Sequence, residues 1–454
     1  MPGLLDQVRF NRIYFNGTAF RENDLVPEIR RLSGFFRAHA RGDSPFIYLF
    51  APNHVKTVIA YFAILEAGFI AVLIDPFVKR FELEECLIDT PPAALVRIDP
   101  RTPSFDPERE VEFRKESPAP GAGSDLENVC TLVYTAAEDG FYKGVMLTRK
   151  NLLSNARAII DGNGMGKGSL SFAVLPFNHV FGLQAGLLAP ALAGESILIE
   201  DISDLRRVRR YIRCIKELGV THLYSVPILY YLMAKIPDIA KNLDRVESII
   251  SGGYKLTERI FQYFKNKSAR DIREGYGLTE ASPICTWQYS DRSVIPGSVG
   301  RSLPCCRVAV MNGDDSECVA NEVGEVCVRG ENVMRGYYRH PELTRKTLRN
   351  GWLHTGDLGR LDKDGYLYLV GLAKHMLNVG GRNVYPREVE RLIRRNPSVR
   401  FIEIYGEPSE LQGNIVRARV VLERDTPRER RAFKKWCLGN ISSYKMPRII
   451  HYLD

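Results

Sequence analysis

Between Pro45 and Glu280, short runs of apolar, β-branched residues alternate with longer segments of helical periodicity. That alternation narrows the fold more than any other feature of the sequence. PFIYLF, FIAVLID, TLVYT, SFAVLPF, SILIE, THLYSV and SIISGG are apolar almost throughout, as expected of strands whose two faces are both covered by helices. Between them lie helical patterns over Val55–Ala67, Arg149–Ile160, Leu205–Leu218 and Leu229–Ile236. The order predicts an α/β fold of doubly wound sheets. From about 296 to 370 the strands shorten (CRVAVM, GEVCVRG, YLYLV) and Asn312-Gly313-Asp314 and Asp364-Gly365 supply turns, so a β-rich subdomain is expected there. After Gly371 comes a small α/β stretch, with Pro386 placed to open a helix through Arg395 and with FIEIY and NIVRARVVLE as strands.

Composition removes several classes. With 454 residues, 45% hydrophobic and 26% charged, the chain is neither disordered nor collagenous nor a disulfide scaffold. The excess of 63 Lys and Arg over 54 Asp and Glu gives a net charge of +9, too mild for its length to imply a nucleic-acid partner. Nine cysteines, an odd number with no C-x-x-C, fit a reduced intracellular protein, and neither they nor the eight histidines show zinc-ligand spacing. MPGLLDQVRF is not a signal peptide, and the most apolar stretch, Thr57 to Asp75, is interrupted by Glu66 and Gly68. A soluble, cytoplasmic protein without a membrane span is the expectation. The glycine-rich run 162–168 follows a helical pattern rather than a strand and reads as a loop. The basic amphipathic segment Leu205–Lys216 has Leu205, Val208, Ile212 and Ile215 on one face. It suits a solvated surface helix, or docking of an acidic carrier protein or phosphorylated cofactor.

An ordered series of motifs goes further. TAAEDGFYKGVMLTRKNL at 135–152 follows a strand; then come LPFNHVFGL at 175–183, SGGYKL at 251–256 and EGYGLTEASP at 274–283. GWLHTGDLGRLDKDGYLYLVG at 351–371 and NVGGRNVYPREVE at 378–390 complete it. From about Ala19 onward the chain resembles the adenylate-forming superfamily of acyl-CoA synthetases, luciferases and peptide-synthetase adenylation domains. The resemblance implies a large N-terminal domain over 1–371, a small, mobile and shortened C-terminal domain over 372–454, and a cleft between them. It implies ATP, AMP and Mg²⁺, a fatty or aromatic carboxylic acid as substrate, and CoA or the phosphopantetheine of an acyl carrier protein as acceptor. Asp357 would accept both ribose hydroxyls, a bidentate task suited to a carboxylate. Glu280 would ligate Mg²⁺, a hard cation that prefers oxygen, and Thr279 would bond the α-phosphate. Tyr276 would stack on adenine, beside Gly277, with Gly252, Gly253 and Tyr254 as the opposite wall. Lys143 belongs to the phosphate loop, His179 to the junction of acyl and pyrophosphate sites, and Lys374 to the hinge.

The sequence also departs from the family pattern. The phosphate loop, rich in Ser and Thr in the family, reads Thr135-Ala136-Ala137-Glu138-Asp139-Gly140 here. A carboxylate about 4 Å from a phosphate oxygen costs roughly 1–4 kcal/mol per charge pair. Leu372 replaces an arginine that reaches the ribose, and Asn378 replaces a basic residue after the hinge. The sequence ends at SSYKMPRIIHYLD, ahead of the family's Gly-Lys motif, and Lys445 is not an obvious substitute. These departures set a second expectation beside the ligase: a repurposed, non-adenylating homologue that binds an acyl group or acyl-thioester as a scaffold, or for acyl transfer or cyclisation. Pocket specificity is expected from side chains between His179 and Ser282.

Overall fold

A computed structural model describes residues 4–102, 104–114, 126–136, 141–201, 205–290, 292–372 and 376–453. Among these residues, one sheet has seven strands in the order Gly336–Tyr337, Tyr142–Thr148, Val129–Ala136, Ile70–Ile74, Phe46–Phe50, Ala94–Arg97, Val111–Phe113. Its central members from Val129–Ala136 to Ala94–Arg97 are parallel. A second sheet runs Arg301–Ser302, Ile284–Trp287, Arg273–Gly277, Ser248–Ser251, His222–Ser225, Leu170–Ala173, Ser196–Ile199, Arg12–Phe15, Thr18–Phe20. It is parallel from Arg273–Gly277 to Arg12–Phe15.

The expected α/β fold is therefore present, and the apolar runs are its strands. Between the sheets lie the helices Val55–Glu66 and Arg149–Asn163, and side chains of both sheets share one core with them. The first helix is buried on every side from Val55 to Ile64. Each such Val, Ile or Phe contributes roughly 1.5–3 kcal/mol on burial. The one charge in that buried stretch, Lys56, is tolerated because Nζ meets Glu110 at 2.6 Å and donates to the Asp99 carbonyl at 2.6 Å and to Thr102 Oγ1 at 2.7 Å.

The β-rich stretch is a smaller sheet of Cys306–Met311, Gly324–Gly330, Trp352–Leu361, Leu348–Arg349 and Leu367–Leu372. Residues 377–452 form a last sheet, flanked by the helices Pro386–Ile393 and Pro427–Asn440 and centred on Val389, Leu392, Ile402, Val420 and Phe433. Phe81 of the large unit packs against that core.

Some boundaries differ from the sequence reading. The pattern at Leu229–Ile236 is the helix Pro227–Met233, started two residues earlier by its proline. Leu205–Arg207 is a 3₁₀ turn ahead of the α-helix Val208–Leu218. An N-terminal hairpin, Arg12–Phe15 with Thr18–Phe20, was not anticipated from periodicity. Its signal is Asn16-Gly17, whose φ angles of 48° and 81° suit a two-residue turn of that composition. No helix among the described residues is long and apolar enough to cross a membrane, and all nine cysteines are free.

Candidate active site

The carboxyl ends of the parallel strands in both sheets open onto one cavity of about 730 Å³, closed on its far side by the small unit. That is where open α/β sheets bind ligands, because loops from neighbouring strands diverge there. At one end, Lys143 leaves the strand Tyr142–Thr148 and Tyr337 leaves the short strand paired with it. Lys143 Nζ donates to the Tyr337 hydroxyl at 2.8 Å, Tyr337 donates to Glu280 Oε1 at 2.8 Å, and Lys143 lies 3.2 Å from Glu280. Burial, then the Glu280 charge, pushes the Tyr337 phenol far up, so it stays a donor. Thr279 opens the 3₁₀ turn that carries Glu280.

At the other end Tyr276 donates to Asp357 Oδ2 at 2.6 Å. Asp357 is anchored through its own N–H, which donates to Thr355 Oγ1 at 3.0 Å, and Thr355 donates to the Val326 carbonyl at 2.6 Å. Burial and Asp357 raise the Tyr276 phenol. Gly252, Gly253 and Tyr254 form a wall at the end of the strand Ser248–Ser251, and Gly277 lines the cavity beside Tyr276. Gly253 has φ of 84°, and a Cβ there would stand 3.4 Å from the Cα of Gly381 in the small unit, which has φ of 89°. Two glycines thus allow the units to touch backbone to backbone. The Tyr254 hydroxyl accepts from Ile228 N–H at 3.0 Å and donates to the Leu411 carbonyl at 2.6 Å, tying the wall to the small unit.

His179 precedes the turn Val180–Leu183 and lines the same cavity. Burial, then the nearby Arg382 charge, lowers its pKa to about 4, so it is neutral at pH 7. Arg382 comes from the small unit and donates to Asp75 Oδ2 at 3.0 Å. Asn378, expected as a lost basic residue, donates to the Gly253 carbonyl at 2.8 Å. Lys445 is buried at the seam, with Nζ 2.6 Å from Glu82 and also bonded to Glu388 and the Tyr142 hydroxyl. Tyr142 itself donates to Glu388.

The cavity thus brings together Lys143, His179, Gly252, Gly253, Tyr254, Tyr276, Gly277, Thr279, Glu280 and Asp357. Lys374, Glu138 and Asp139 lie outside the described residues. Sequence reasoning missed Tyr337, Arg382, Glu274 and the partners of Lys445. It expected pocket specificity from side chains between His179 and Ser282; Trp287, beyond that range, also lines the cavity. Arg382 follows the glycine pair 380–381, which was a usable signal; Tyr337 had none, because only strand pairing brings it to Lys143. One cluster is assembled only by the fold. Glu325, Cys327 and His354, with no ligand spacing in sequence, have their ligand atoms within 4.8 Å of one another. Strand pairing assembles them, and His354 Nδ1 lies 2.9 Å from Glu325, whose charge also meets Arg349 at 3.6 Å.

The model of the AMP-binding enzyme family matches residues 23–338. The chain is 26% identical to a long-chain-fatty-acid–CoA ligase of Bacillus subtilis, over 97% of this chain and 88% of that protein. It is 27% identical to a feruloyl-CoA synthase of an Amycolatopsis species, over 96% and 91% respectively. Its fold is similar to that of a double mutant of o-succinylbenzoate CoA synthetase from Bacillus subtilis, solved with a product analogue. The TM-score is 0.85 at 22% identity, covering 100% of this chain and 95% of the other.

Proposed function

Because this chain belongs to the AMP-binding enzyme family, we propose that it is an acid–thiol ligase. It joins a carboxylic acid to ATP, releasing pyrophosphate, and passes the acyl group from the resulting acyl-adenylate to a thiol, releasing AMP. The observation that carries this reading is the convergence on one cavity of a cationic, donor-rich end at Lys143 and Tyr337 and a carboxylate end at Asp357.

Each residue does part of the work. Asp357, held by Tyr276 and its own backbone, receives the ribose hydroxyls. The glycine wall lets adenine lie against backbone opposite Tyr276. Lys143 and Thr279 donate to phosphate oxygens where charge grows during displacement. The carboxylate of Glu280 beside the Thr279 hydroxyl is an all-oxygen donor set that fits Mg²⁺; when bound, that ion neutralises triphosphate charge. Neutral His179 can turn a hydrogen bond toward the acid without repelling Lys143 or Arg382. The small unit turns about the segment that contains Lys374. CoA is the acceptor; a carrier protein is the alternative, suited by the exposed Arg209, Arg213 and Lys216 of the helix Val208–Leu218.

Calorimetric titration with Mg·ATP and with AMP, followed by acid-dependent pyrophosphate release, tests the reading. Micromolar ATP binding and release of pyrophosphate sustain it. Absence of binding by either nucleotide overturns it and favours the non-adenylating acyl binder that Glu138 and Asp139 suggest.

A further inference from the structure

The apolar part of the cavity ends on two aromatic rings, each covering a glycine. A Cβ on Gly252 would stand 2.8 Å from Phe181, and one on Gly275 would stand 2.9 Å from Cε3 of Trp287. Gly275 and Trp287 are direct partners on neighbouring antiparallel strands, so the indole lies across the space that the glycine leaves open. Val226 and Ile284 are among the apolar side chains that line the same cavity.

Trp287 is fixed in that place. It is 1% exposed, and its Nε1 donates to Asn163 Oδ1 at 3.0 Å. Asn163 Oδ1 also accepts from Ser248 Oγ at 3.1 Å, and its Nδ2 donates to the Ile159 carbonyl at 2.8 Å. Behind the indole the Tyr224 ring packs at 6.0 Å between centroids. Swinging the indole aside would strand its own N–H, at a cost of about 1–3 kcal/mol, and take one of two donors from Asn163 Oδ1. A long acyl chain needs a continuous apolar channel, and the route past Gly275 is filled.

We propose that Trp287 sets the length of the acid, so that the site takes a short-chain or single-ring carboxylic acid and excludes long-chain fatty acids. This rests on the acyl-activating reading of the cavity. A hydrophobic pocket discriminates sharply against a substrate too large for it, because a close-packed wall cannot yield without loss.

The test is acid-dependent pyrophosphate release by the full chain with Mg·ATP and CoA, using butyrate, octanoate, benzoate, cinnamate and hexadecanoate. In the wild type, kcat/KM for hexadecanoate should be at least about tenfold below the best of the other four. Trp287→Ala, and the milder Trp287→Leu, should raise the hexadecanoate-to-best ratio by at least about tenfold, with melting curves certifying the fold. Equal or better use of hexadecanoate by the wild type overturns the proposal, as does an unchanged ratio in a folded variant. Should neither variant fold, the wild-type series decides. If no acid releases pyrophosphate, the ligase reading falls and calorimetry with the same acids tests the size limit alone. Binding of octanoate or benzoate, with hexadecanoate at least about tenfold weaker, sustains it. Equal binding of hexadecanoate, or no acid bound, overturns it.

Discussion

Glu274 lines the cavity beside Gly275, and burial raises its carboxyl from 4.5 to about 7; an N–H bond from Leu256 and the nearby Lys255 offset part of that, while Glu258 adds to it. The folded chain keeps a proton that the unfolded chain releases, so this group's contribution is fully present below about 4.5 and is lost as the pH rises through 7. The shift corresponds to about 3 kcal/mol. Glu274→Gln is therefore expected to be near neutral at pH 4.5 and stabilising by up to that amount at pH 8, measured by urea unfolding at both. The same difference at both values would refute the assignment. His179 runs the other way: its folded pKa is depressed, so stability from keeping it neutral is complete above about 6.5 and fades as the pH falls toward 4. At Asp357, replacement by Ala removes a charged hydrogen-bond acceptor and should weaken AMP binding roughly 10- to 100-fold by calorimetry. Unchanged affinity would remove Asp357 from the nucleotide site. Thr279, Glu280 and Asp357 were legible because each sits in a short contiguous run. Tyr337 and Arg382 were not, because their roles arise from pairing across 194 residues in one case and across units in the other.

Two helices, Arg80–Asp89 of the large unit and Pro386–Ile393 of the small one, face each other across Lys445. Each contributes a carboxylate from a buried position, Glu82 and Glu388, and Ser442 adds a bond to Glu82. Glu85 on the first helix also pairs with Arg391, at 2.7 Å from Nη2, and with Arg395 at 2.8 Å. This explains why the strands were readable and the Arg80–Asp89 helix was not. The strands bury apolar faces, whereas this helix buries Glu82 where periodicity calls for Leu, and the charge that makes that position tolerable comes from Lys445, 363 residues away. Removing one partner of a buried ionic cluster leaves the others uncompensated, at about 3–5 kcal/mol. Lys445→Met should therefore loosen the docked small unit, with cleavage between the units at least about tenfold faster in limited proteolysis. Arg259→Ala breaks an interface pair whose arginine is 70% exposed and should change the rate little. Equal rates for the two variants would deny the cluster its role.

At the scale of the whole molecule, the arrangement of the two units sets the partners of two small-unit cations that line the cavity, Arg382 and Lys445. Lys445 is spent on Glu82, Glu388 and Tyr142, while Arg382 reaches Asp75 and lowers the pKa of His179. Apolar runs predicted the strands on both sides of Gly371, but nothing local in the sequence says how residues 377–452 sit on the rest; that information lies in pairs such as Arg382–Asp75 and Asn378–Gly253. In the proposed reaction, two successive displacements in one cavity need different groups beside the reacting atoms, and a small unit that turns would supply them in sequence. In the arrangement described, Arg382 and the glycine pair line the cavity, and Lys445, which also lines it, is paired with Glu82 and Glu388; under the proposed two-step reaction this suits the step in which a thiol enters between the units. Arg382→Ala is accordingly expected to slow CoA-dependent thioester formation about tenfold or more, while acid-dependent ATP–pyrophosphate exchange changes by less than about threefold. The same substitution removes a positive charge beside His179, so the imidazole pKa should rise above about 4 in an NMR titration, short of its ordinary 6.5 because burial, the larger cause, remains. An equal loss in both half-reactions would mean that Arg382 serves no particular step. An unmoved His179 would mean that the two units do not meet in solution as they do here.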